Sequence, residues 1–91
     1  MTRAITRMHT RPYRCKLCDS IGIGWYGANE KAVVQHVVMT YGVKDKGGIH
    51  KAWREQHNLP IKSDTMSEVL RNVAIILRDR DTLDELCELV S

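Results

Sequence analysis

Two cysteines separated by two residues, Cys15-Lys16-Leu17-Cys18, constrain this chain more than any other feature. A chain of 91 residues buries a smaller share of its surface than a larger one, so a staple contributes much of what a stable fold needs. No signal-peptide core follows Met1, and no apolar run approaches the roughly 18 residues of a membrane span. The expected setting is therefore cytoplasmic, where a close cysteine pair favours metal or redox chemistry over a structural disulfide. No βαβ pattern surrounds the pair, which argues against a thioredoxin-like redox role. Cys87 stands apart and reads as a small buried hydrophobe.

The segment Tyr13-Arg14-Cys15-Lys16-Leu17-Cys18 resembles the opening of a Cys2His2 zinc finger, and Val33-x-x-His36 resembles the apolar-x-x-His of that family's helix. The resemblance implies a structural Zn2+ held by two thiolates on a tight knuckle and an imidazole from a helix, the donor set that tetrahedral zinc accepts. The span from Cys18 to His36 exceeds the family norm, and the insert carrying Gly22, Gly24 and Gly27 absorbs the excess. Thr40 and Tyr41 stand where the family places its second histidine. His50 is the expected fourth ligand and His57 the alternative, both flanking Trp53, with His9 a more distant candidate.

Periodicity supplies the rest of the chain. Residues 1–12 end in Arg11-Pro12 without a sustained period and read as a basic arm; residues 13–91 read as one compact domain. Within it, the glycine-rich stretch 13–28 fits a knuckle and short hairpin. Asn29 caps a helix from about Glu30 to Tyr41, with Val33, Val34, Val37, Val38 and Tyr41 on one stripe and Gly42 as its stop. The β-branched run VVQHVV suits a strand as well. A second helix, about Gly48 to Asn58, puts Ile49, Ala52, Trp53 and Gln56 on one side and leaves Lys51, Arg54 and Glu55 outward. Ser63 or Asp64 caps a longer helix with the stripe Met66, Val69, Leu70, Val73, Ile76, Leu77, and Asp81 caps a last one carrying Leu83, Leu86, Cys87 and Val90. The fold class is thus mainly α: a zinc knuckle and short hairpin, a helix-turn-helix over 29–60, and two helices over 63–91. Phe is absent, so Trp25, Tyr26, Tyr41 and Trp53 are expected to carry much of the large-side-chain packing.

The segment VVQHVVMTYGVKDKGGIHKAWREQHNLP resembles helix-turn-helix DNA-binding modules through Val37, Val38, Tyr41, Gly42 and Val43, then Ile49, Ala52 and Trp53. The resemblance implies that the second helix enters the major groove of duplex DNA, with Lys46, Lys51 and Arg54 as reading and clamping residues. Here Gly47-Gly48 offer no side chain to a base but let the backbone approach phosphate. His50 is claimed by both readings, as metal ligand and as base reader.

A net charge of +3 hides a gradient. Residues 1–18 carry Arg3, Arg7, Arg11, Arg14 and Lys16 with no acid. Residues 64–91 carry Asp64, Glu68, Asp79, Asp81, Asp84, Glu85 and Glu88 against Arg71, Arg78 and Arg80. This asymmetry suits an arm in which Arg3, Arg7 and Arg11 bind DNA while an acidic end turns away from it. The expected function is a small zinc-stabilised DNA-binding regulator, in style like those of phages and mobile elements, with a homodimer through 63–91 a further expectation. The alternative is a protein-interaction module acting on a host protein. Neither an HExxH nor an HNH-like cluster is present, so the chain does not read as a zinc enzyme.

Overall fold

The computed structural model describes residues 11–41 and 48–90. A small sheet opens the chain and helices follow. Strand β1, Tyr13–Cys15, runs directly into helix α1, Lys16–Ser20. Strand β2, Tyr26–Gly27, returns antiparallel beside β1, pairing Tyr13 with Gly27 and Arg14 with Tyr26. A third strand, β3, Cys87–Leu89, closes the other edge, so that the order is β2-β1-β3, with Cys15 opposite Cys87. Residues 87–90 were expected to extend the last helix. Instead β1, too short to stand as a two-stranded ribbon, takes the chain's end as a second partner.

The four-valine stripe forms a helix, α2, Glu30–Met39, with Val33, Val34, Val37 and Val38 all buried. Burial at roughly 1.5–3 kcal/mol per side chain outweighs the modest helix penalty of β-branching. The Asn29 side chain accepts the Ala32 N–H at 2.8 Å and fixes the start. The helix ends at Met39 rather than Tyr41, because Thr40 already has an extended backbone. Gly42, the expected stop, and Val43 lie outside the described residues, as does the turn of the expected helix-turn-helix.

Gly48, with φ of 80°, begins helix α3, Ile49–Gln56, in a left-handed conformation that a side chain would strain. Helix α4, Met66–Arg78, is capped by Thr65 in a reciprocal box with Glu68, not by Ser63 or Asp64. Asp64 instead donates its backbone N–H to the same Glu68 carboxylate. Asp79, not Asp81, caps helix α5, Arg80–Leu86, by accepting from the Thr82 N–H and hydroxyl.

The core lies between α2 and α4 and is closed by Leu83 and Leu86 of α5 and by the two knuckle cysteines. On α4 the buried residues are Val69, Asn72, Val73 and Ile76, whereas Met66 and Leu70 of the expected stripe face solvent. Trp53 is buried as expected, but Tyr26 and Tyr41 are exposed. Small aliphatics fill the space that the sequence suggested aromatics would take. No helix among the described residues is long and apolar enough to cross a membrane.

Candidate metal centre

The site is built where a strand becomes a helix. Cys15 ends β1 and is the N-cap of α1, and its Sγ accepts the Cys18 N–H at 3.5 Å. The Cys18 carbonyl in turn accepts from Ile21 at 3.1 Å and Ile23 at 2.9 Å, closing the knuckle. Both sulfurs are thereby held on one side of a tight turn.

Two histidines meet them from different helices. His36, in the last turns of α2, places Nε2 3.2 Å from Cys18 Sγ. His50, in the first turn of α3, places Nε2 3.5 Å from Cys15 Sγ and 3.4 Å from Cys18 Sγ. The four donor atoms all lie within 4.8 Å of one another. Zinc bonds of about 2.3 Å to sulfur and about 2.0–2.1 Å to nitrogen give tetrahedral S–N edges of about 3.6 Å, close to the three spacings found here. Cys15, Cys18, His36 and His50 are thus within ligating distance of a common point, an arrangement compatible with a metal such as zinc.

Surrounding groups orient these donors. His36 Nδ1 lies 3.3 Å from the Thr40 hydroxyl, one turn further along, which leaves Nε2 to face the sulfurs. The His36 ring stacks on Trp25 with centroids 3.9 Å apart and planes 10° apart, and meets His50 edge-on at 4.9 Å. A Cβ on Gly27 would come within 3.0 Å of Ala32 Cβ and 3.2 Å of the Trp25 ring, so glycine lets the hairpin lie against α2 with Trp25 over His36. Trp25 and Thr40 were not singled out as site residues. The His36-Thr40 spacing of four on a helix was the readable signal.

His57, the alternative ligand, is used elsewhere. Its ring stacks on Trp53 at 4.0 Å, its Nδ1 lies 3.0 Å from the Trp53 carbonyl, and its Nε2 is 3.1 Å from Glu85. Trp53 Nε1 donates to the same Glu85 carboxylate at 2.9 Å, tying α3 to α5. Cys87 is buried beside Cys15 in the sheet but stands outside the four-donor cluster. Burial pushes its thiol up to about 11, with the Glu30 carboxylate acting in the same direction.

The expected DNA contacts divide. Arg3, Arg7 and Lys46 lie outside the described residues, as does His9, whereas Arg11 and Lys51 are exposed. Arg54 is a correction: expected outward, it is 0% exposed, donates to the Val38 carbonyl at 2.6 Å and lies 5.5 Å from the Tyr41 ring centroid. A guanidinium this buried serves the fold, satisfying a carbonyl in the last turn of α2. The acidic residues near the C-terminal strand also meet the two cations of β1 and α1. Arg14 bonds Glu88 at 2.8 Å across β1 and β3, holding that carboxyl below the usual range, and Lys16 donates to the Asp84 carbonyl at 2.9 Å.

Against known family models, curated proteins and solved structures, the chain gives no match.

Proposed function

We propose that Cys15, Cys18, His36 and His50 bind one structural Zn2+ ion, and that the domain so stapled is a binding module for duplex DNA. The convergence of four donors from β1, α1, α2 and α3 carries the metal half of this reading. Four protein ligands fill a tetrahedron, leaving no open position for substrate, as in structural sites. The ion would join elements otherwise linked through few contacts, and its binding free energy becomes folding free energy.

The DNA half rests on charge. Residues 1–18 contain five cations and no acid, Arg3, Arg7, Arg11, Arg14 and Lys16, and of these Arg14 and Lys16 are committed within the fold. Arg3, Arg7 and Arg11 are proposed to follow the phosphate backbone, with Lys46 and Lys51 completing the contact. With His50 in the metal cluster and Arg54 buried, base reading by α3 is not part of the proposal. Metal analysis of the purified protein tests the first half. A mobility-shift titration on random-sequence duplex across salt concentrations tests the second, since phosphate contacts make affinity fall linearly with log salt.

A protein-interaction role is the second reading. It is favoured by the exposed large apolar side chains of α4: Met66, Leu70 and Ile75.

A further inference from the structure

One half of α4 packs on the core; the other half has an unusual composition. Its outward face carries two adjacent i, i+4 ridges, Met66–Leu70–Ala74–Arg78 and Ser67–Arg71–Ile75. Met66 is 54% exposed, Leu70 45% and Ile75 49%. No lysine or acid falls on either ridge, and among the described residues neither Arg71 nor Arg78 makes an ion pair. Glu68, the nearest carboxylate on this helix, is held by the capping box.

A solvated helix face ordinarily mixes charges of both signs. Met and Arg with large aliphatics, and no Lys, Glu or Asp, is instead the composition enriched at protein interfaces. Apolar side chains exposed singly need no explanation; Met66, Leu70 and Ala74 are contiguous along one ridge, and Ile75 lies across the two arginines from it. The groove between the ridges passes the small side chain of Ala74, which allows another helix to approach closely.

We propose that this face docks an acidic amphipathic helix of another protein. Met66, Leu70 and Ala74 would receive its apolar stripe, and Arg71 and Arg78, side by side next to that ridge, would meet carboxylates on one flank. The two arginines are seven residues apart, about 10.5 Å along the axis, so the partner's acids are expected about two turns apart. A second copy of this chain is the poorer occupant. A two-fold contact presents the same patch on both sides and would bring four guanidinium groups together, with Glu68, whose carboxylate already accepts backbone N–H groups of the cap, the one acid of α4 beside them.

The test uses the metal-loaded full chain and two fluorescent helical peptides. Both carry leucines at i, i+4 and i+7; one has flanking glutamates two turns apart, the other lysines in their place. The protein is expected to bind the acidic peptide at least about tenfold more tightly than the basic one. Arg71→Glu with Arg78→Glu should reverse that preference, and Leu70→Ser should weaken both peptides, with melting near the parent's in each variant. Equal binding of the two peptides, or a preference untouched by the charge reversal, overturns the proposal. So does sedimentation showing a dimer that Leu70→Ser dissociates, which makes a second copy the occupant. Binding to phosphatidylserine vesicles that the same variants abolish, without peptide preference, would assign the face to an anionic membrane.

Discussion

The buried guanidinium of Arg54 on α3 donates to the carbonyl of Val38 on α2 at 2.6 Å. The contact sits one turn from His50 on α3 and in the same turn as His36 on α2, so it sets the distance between the two helices that carry the histidine donors. Arg54→Ala is expected to lower stability by about 2–3 kcal/mol, the scale of a buried charge-assisted hydrogen bond. Chemical denaturation measures this, and any loss of DNA binding should be restored at temperatures where the variant is folded. Unchanged stability with lost binding would return Arg54 to the role its sequence suggests.

Lys51 should behave in the opposite way. Lys51→Ala is expected to leave melting near that of the parent and to lower the slope of log affinity against log salt by about one, as for a single phosphate contact. Removing residues 1–10 should weaken binding across all duplex sequences. DNA affinity equal in the parent and in Lys51→Ala lacking the arm would discard the nucleic-acid reading.

On α4 the two sides of one helix should respond differently. Ile76→Ala is expected to cost about 2–5 kcal/mol, since the side chain is buried in the core. Leu70→Asp should fold with nearly parental melting. If Leu70→Asp unfolds the protein, the side chain is more enclosed than its exposure indicates.

Acid should act on the sheet and on the cap of α5. The hydrogen bond from Arg14 lowers the folded pKa of Glu88, and hydrogen bonds from Thr82 lower that of Asp79. A depressed folded pKa contributes stability that is fully present above the unfolded value, about 4.5 for glutamate and 3.8 for aspartate, and is lost as pH falls through the folded value. Glu88→Gln is expected to flatten the stability curve below about pH 4.5. An identical acid limb in Glu88→Gln and parent, measured by urea denaturation at several pH values, would show that the pair adds nothing.

The four-donor cluster was legible because its signals are local: a CxxC spacing, a histidine after an apolar residue on a helix, and a second histidine on the next. The helices were legible from their stripes and caps, to within a few residues. What sequence could not supply were the partners brought from far along the chain. Arg54 reads as an outward cation until the end of α2 arrives with an unsatisfied carbonyl. Cys87–Leu89 continue a helical pattern and become a strand only because β1 offers an open edge. Tyr41 looked like the end of a buried stripe, but the helix stops short of it and the ring is exposed over Arg54.

Metal content of three proteins, measured with thermal melting before and after chelation, tests the central claim most directly. The parent and Cys87→Ala should each carry one zinc per chain and lose their cooperative melting transition when the metal is stripped; Cys15→Ser should carry none and resemble the stripped parent without chelator. Parent protein that contains no stoichiometric metal and melts identically with and without chelator would contradict the account, leaving the four side chains as a buried cluster joined by hydrogen bonds alone.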